Sequence, residues 1–314
     1  MADTAASVAA DRLKSHIKIG LDETRLLMLG ASLLLGFQFG APFLDNFAAL
    51  SPLARGLDGA ALLLTALSVG LLVLPSAFHR IAEQGDVSLR MRQLTSVATG
   101  LALVPFASAT GINAFIIAEL LGGRLAGIIA AAATFVTAAW FWFGLMLVRR
   151  HGRQRGTHMD EVCETPSLTT RIDQMLIEAR VMLPGVQALL AFQLSIALTK
   201  AFEALPGSSK AAHAIALGLI CLAMILLVAP AAYHRLVCDG DSTEDMLRIG
   251  SRFVTVSTLP LALGLALDAY VVIAHIAGSA AFGVTSGLAT LLVLLTLWLG
   301  VPLLARRHRR TVAS

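Results

Sequence analysis

Four polar side chains interrupt otherwise apolar runs of this sequence: Gln38, Asn113, Gln193 and Asp268. A carboxylate in such a place can bind a cation or accept a proton, and an amide can support either task by hydrogen bonding. Ionisable groups are costly inside a bilayer, so one found there is read first as a functional position facing the helix bundle. Counting helix rise places Gln38 and Gln193 about 18 Å from the inner edge of their runs, near the midplane. The plainer alternatives stay open. The glutamines also suit interhelical hydrogen bonds worth about 0.6–2 kcal/mol, and Asp268 lies far enough outward to stay hydrated.

Two prolines belong to the same depth. Pro105 and Pro260 each sit about 11 residues into an apolar run, where proline removes one backbone donor and frees the carbonyl four residues earlier, Leu101 or Val256. Ser108 and Thr110, or Ser257 and Thr258, are placed to line the loosened turn. An ordinary kink at each is the expectation; a helix broken beside the glutamines, of the kind at which transporters coordinate ions, is the alternative.

A third group falls at the inner ends of the runs: Glu23, Arg25, His79 and Arg80, matched by Glu178, Arg180, His234 and Arg235. The expected pairs are Glu23 with Arg80 or His79, and Glu178 with Arg235 or His234. They would lock helix ends together in a partly low dielectric. A histidine there, with a reference pKa of about 6.5, would also suit proton exchange near neutrality. Trp140, Trp142 and Trp298 read as an interfacial aromatic belt.

The sequence carries no Walker loop, HExxH, GxSxG or dinucleotide fingerprint. Cys163, Cys221 and Cys238 have no metal-ligand spacing. Neither an enzyme, a cofactor nor a metal site is therefore expected. Nucleic acid is not expected either: the net charge is +4, but the basic residues fall between apolar runs.

The composition explains why. Of 314 residues, 57% are hydrophobic and 14% charged, and mean hydropathy is +0.78. A soluble domain is about 25% charged. Eight runs are long enough to cross a hydrocarbon core of about 30 Å as helices: 26–44, 57–78, 94–117, 125–148, 181–200, 212–233, 250–275 and 282–304. The first 20 residues contain no apolar core of a signal peptide, so the first spans are expected to direct insertion. With the N-terminus inside, the inner segments hold 20 Lys and Arg and the outer segments four, namely Arg55, Arg124, Lys200 and Lys210. That asymmetry orients both termini to the cytoplasm of a cell (inner or plasma) membrane.

The chain also overlays itself at an offset of 155 residues. Glu23-x-Arg25, Gly30 and Leu34-Leu35-x-Phe37-Gln38 fall on Glu178-x-Arg180, Gly185 and Leu189-Leu190-x-Phe192-Gln193. Pro75-x-Ala77-Phe78-His79-Arg80 falls on Pro230-x-Ala232-Tyr233-His234-Arg235, Pro105 on Pro260, and Asn113 on Asp268. These two signatures, ExRxxxxGxxxLLxFQ and PxA[FY]HR, resemble an uncharacterised four-span bacterial integral membrane family, a domain of unknown function. The resemblance covers 22–150 and 177–306 and implies a fused tandem pair; it implies no activity.

The expected protein is all-α and polytopic, with eight transmembrane helices in two parallel four-helix repeats. Its expected parts are an N-terminal segment 1–25, a first repeat 26–148, a linker 149–180, a second repeat 181–304 and a basic tail 305–314. Four spans per half make the repeats parallel, about a pseudo-twofold axis along the membrane normal. The expected function is a small-ion or proton permease or channel-like protein lined by Gln38, Asn113, Gln193 and Asp268. The alternative is a non-transporting scaffold or accessory subunit. The lipid bilayer is the expected partner, with a second copy or another membrane protein as a further one.

Overall fold

The computed structural model describes residues 24–25, 27–83, 89–144, 167–236, 238 and 241–313. Among them the regular elements are helical, with no strand. Long apolar runs form helices because a helix satisfies every backbone group within its own segment, which hydrocarbon requires. The elements are α1 (Leu27–Phe43, ending in a 3-10 turn), α2 (Pro52–Ile81), α3 (89–122), α4 (124–139), α5 (Leu168–Ile196), α6 (Gly207–Leu236), α7 (Glu244–Ala277) and α8 (Ala280–Leu295). Helix α8 runs on through Val301–Ala313.

Six helices among the described residues are long and apolar enough to cross a membrane. The difference from the eight expected runs has two causes. The run 94–117 and residues 125–139 of the next fall in one 51-residue element, which bends at Gly123 (φ 80°, ψ 179°). The first run supplies only the shorter apolar helix Leu27–Phe43. Many large apolar side chains point outward, among them Leu121 (82% exposed), Leu125 (71%) and Val136 (63%). This is the surface of a multi-pass membrane protein, not of a water-soluble one.

Caps set several helix starts. Ser51 accepts from Ala54 N at 3.1 Å ahead of Pro52, and Thr243 accepts from Met246 N at 3.1 Å. Each cap satisfies a donor that the first turn leaves open. Residues 168–180 of the expected linker are the first turns of α5, capped by Ser167. The expected tail continues α8 as helix.

Local features recur between the halves. Gly123 and Gly278 both take positive φ at the end of the third helix of a half. The fourth helices both pass through a π turn, Trp140–Gly144 and Thr296–Gly300. These turns lie 156 residues apart, so the second half has gained one residue after α7. Phe37 and Phe192, which match at the 155-residue offset, touch each other edge-to-face with centroids 5.9 Å apart.

The halves are not equally covered. In α2, 72% of the apolar window is buried, against 28% in α6. Helix α2 packs on α7 and α8 of the second half. Trp298 is fully buried there and donates from Nε1 to Gly70 O at 2.9 Å. It is therefore an anchor between halves, not a belt residue as its type suggested. Trp140 is exposed, and Trp142 stacks on Phe106 at 5.9 Å. Near the other end of the bundle, His275 stacks on Phe43 and lies 3.2 Å from Pro42 O.

Close contact between α7 and α8 depends on small residues. A Cβ at Gly283 would lie 2.7 Å from both Tyr270 O and Ala274 Cβ. Backbone cannot yield as a flexible side-chain tip can. Gly283→Ala is expected to cost about 1–3 kcal/mol, the usual range for overpacking. Gly218→Ala, where nothing lies within 4 Å of the added carbon, is expected to be neutral or to stabilise by up to about 1 kcal/mol. Thermal unfolding of the two variants in detergent checks the contrast.

Candidate functional site

Two polar constellations lie inside the bundle. The first is repeated in each half. Gln193 stands near the end of α5, and its Nε2 donates to Asp268 Oδ2 of α7 at 2.6 Å. Gln38 stands near the end of α1, and its Nε2 reaches Asn113 Oδ1 of α3 at 3.5 Å. The separation along the chain is 75 residues in both cases. The structure thus pairs each glutamine with another of the four candidate polar residues, a pairing the sequence had not assigned. Gln38, Gln193 and Asp268 are 1–2% exposed.

Each glutamine stands toward one end of its helix. Gln193 is three residues from the end of α5, or about 5 Å by helix rise. Asp268, its partner, is eight residues beyond Pro260, about 12 Å further along α7. The glutamines and prolines therefore do not form one layer.

Helix also continues through Pro105 and Pro260, so neither is a break; the interruption in the first of these elements is at Gly123. The neighbouring hydroxyls turn back on their own helices. Ser108 donates to Val104 O, Thr110 to Phe106 O, Ser257 to Val254 O and Thr258 to Thr255 O, at 2.7–3.0 Å. These bonds occupy the hydroxyls that were expected to line an opened turn.

Sequence reasoning missed two buried ionisable residues, one of which joins this constellation. His213 of α6 is 4% exposed, with Nδ1 3.7 Å from Asp268 Oδ1 and Nε2 3.0 Å from Gln193 O. Phe202 meets its ring edge-on at 5.0 Å. A carbonyl can only accept, so the neutral ring must carry its proton on Nε2, which leaves Nδ1 facing the carboxyl as an acceptor. In that tautomer Nδ1 can take a proton from the Asp268 carboxyl, which converts an acid and a neutral base into an ion pair. The gap of 3.7 Å exceeds a direct hydrogen bond, so transfer needs a small side-chain movement or a bridging water.

The other missed residue is Asp58 of α2. It is 5% exposed, and its Oδ2 is buried without a hydrogen-bond partner. Asp58 occupies in the first half the place His213 occupies in the second. A buried carboxyl thus stands on α2 in the first half, Asp58, and on α7 in the second, Asp268. The signal was in the sequence: both residues are ionisable, stand at the edges of apolar runs, and match at the 155-residue offset.

The second constellation joins the halves. Arg80 Nη1 donates to Glu178 Oε2, and His79 Nδ1 lies 3.7 Å from Glu178 Oε1. The side chains of Arg80 and Glu178 are 5% and 1% exposed. Buried Arg25 adds a further attraction to Glu178. This corrects the expected pairing of Glu178 with Arg235 or His234, since Arg235 and Arg180 are exposed and His234 only half-buried. The cause is the unequal cover: α2 lies inside the bundle with its last turn against α5, whereas α6 lies at the edge. Glu23 falls outside the described residues.

Among the described residues no group of three or more His, Cys, Asp or Glu could hold a metal ion. Cys221 and Cys238 are free thiols, and Cys163 lies outside the described residues.

The bundle is that of a multi-pass helical membrane protein with buried polar constellations. The chain belongs to a family of unknown function, DUF6328, whose model matches residues 7–146 and again 164–302, as a tandem duplication would. No curated protein and no solved structure shows significant similarity to it.

Proposed function

We propose that this protein is a small-ion permease, with the proton as its ion, and that Asp268, His213 and Gln193 form the station at which the proton is held. The observation that carries the reading is the geometry of that trio: a buried carboxyl, a buried imidazole of fixed tautomer facing it, and an amide donor holding the carboxyl in place. Such a pair is expensive to bury and can be replaced by an apolar pair at little loss of stability, which favours a working role. Gln38, Asn113 and Asp58 form the counterpart station in the first half, holding a carboxyl without a histidine.

In this reading the chain has eight spans in two parallel four-helix repeats, with α1 as the first span and α3 and α4 as separate ones. It lies in the cell membrane with both termini cytoplasmic, which the 20-to-4 distribution of Lys and Arg supports. The Glu178, Arg80 and His79 cluster then lies at the cytoplasmic side and the Asp268 station toward the outside.

A second reading, a non-transporting scaffold or accessory subunit, draws on one observation. Phe37 of α1 and Phe192 of α5 touch, a contact that supports a packed interface between the repeats.

The test is proton flux into proteoliposomes driven by a potassium diffusion potential and followed with an internal pH dye. The wild-type protein is expected to acidify the lumen faster than protein-free liposomes do. No excess flux, with insertion verified and sodium and potassium gradients also tried, would move the assignment to the scaffold.

A further inference from the structure

We propose that the cavity at the Arg80 end of the bundle is a binding site for a phosphate-type oxyanion. The cavity has a volume of about 450 Å³ and is walled by α2, α5, α7 and the helical tail of α8. Its lining holds five arginines, Arg80, Arg171, Arg248, Arg252 and Arg306, against two carboxylates, Glu178 and Glu244. Both signs of charge have prior engagements that leave a positive surplus. Glu178 is taken up by Arg80 and His79, and Arg248 is tied to Asp245 at the exposed edge.

The decisive group is Arg80. Only its Nη1 is used by Glu178, while Nε and Nη2 are buried and have no hydrogen-bond partner. Its side chain is 5% exposed. Arg306 Nε is likewise buried without a partner. Leaving a buried charged donor unsatisfied costs more than a neutral one. Guanidinium forks match the paired oxygens of phosphate and carboxylate alike, but several of them around one cavity suit a tetrahedral oxyanion, which has more oxygens to share among them than a carboxylate has. The oxyanion has two possible sources, an acidic lipid headgroup entering from the membrane edge or free phosphate from water. Basic pockets between membrane helices take headgroups in this way.

The experiment uses the full chain and Arg252→Gln/Arg306→Gln, two positions that are exposed and half-buried. One arm titrates inorganic phosphate onto protein in a phosphate-free detergent and reads the unfolding temperature. The other compares nanodiscs of phosphatidylcholine alone with nanodiscs containing phosphatidylglycerol, and native mass spectrometry counts retained lipid on the wild type. A rise in unfolding temperature in either arm is expected for the wild type, and the responding arm identifies the source. The double variant is expected to bind about tenfold or more weakly, as loss of charge-assisted hydrogen bonds implies. Arg55→Gln, far from the cavity, is expected to respond like the wild type. No rise in either arm together with no retained phosphatidylglycerol would overturn the site. An unchanged response in the double variant would do the same. If the double variant fails to fold, Arg252→Gln alone is read against the same criterion.

Discussion

Replacing Glu178 with Gln is expected to destabilise the folded protein by about 3–5 kcal/mol, the range for removing one partner of a buried ion pair. The mechanism is the charge left behind. Arg80 would remain in the interior with its partner gone, beside His79 and within reach of Arg25. A double variant, Arg80→Met/Glu178→Met, removes both charges and fills the volume, and is expected to recover most of the loss. The exposed pair Asp245–Arg248, 2.5 Å apart with side chains 69% and 64% exposed, supplies the contrast. Arg248→Gln is expected to cost less than about 1 kcal/mol. Reversible unfolding in mixed micelles orders the variants. A Glu178→Gln cost no larger than that of Arg248→Gln would contradict a buried lock between the halves.

That lock illustrates what the sequence could and could not reveal. The residues were legible, because Glu178, His79 and Arg80 stand at the ends of apolar runs and match their counterparts at one offset. Their partners were not. Hydropathy tells which helix ends share a level, but not which half is wrapped by the other. The sequence treats α2 and α6 as equivalents, whereas packing buries one and leaves the other at the edge. Trp298 and Trp142 part for the same reason: one is sealed against Gly70, the other stacks on Phe106.

The positions of Gln38, Asn113, Gln193 and Asp268 were more accessible than their pairing, since polar groups in apolar runs stand out but must find each other or water in ways the sequence does not specify. Asp58 and His213 escaped notice because they differ in type, and because a search for matching residues passes over exchanged ones. The prolines misled in a different way. Proline frees one carbonyl and strains one turn, but the helical hydrogen bonds on either side of it let α3 and α7 continue through it.

Replacing Asp268 with Asn is expected to lower proton flux by about a hundredfold or more, the scale for removing a positioned proton-transfer group. Asn copies the residue at position 113 of the first half. It still offers Gln193 Nε2 an acceptor oxygen, so the 2.6 Å contact has a near-isosteric replacement and the fold should persist. What it removes is the titrating oxygen opposite His213 Nδ1. His213→Gln is expected to reduce flux less severely, because the carboxyl itself remains. The reverse exchange, Asn113→Asp, is expected not to rescue Asp268→Asn, because Asp58 and not a histidine stands in the matching place of the first half.

The deciding measurement is therefore paired: initial proton flux of wild type and Asp268→Asn, reconstituted at equal density and orientation in the same lipid, each read against protein-free liposomes. The account predicts flux well above background for the wild type and background for the variant, with matching unfolding temperatures. Equal flux in both would contradict it, by placing the pathway away from Asp268.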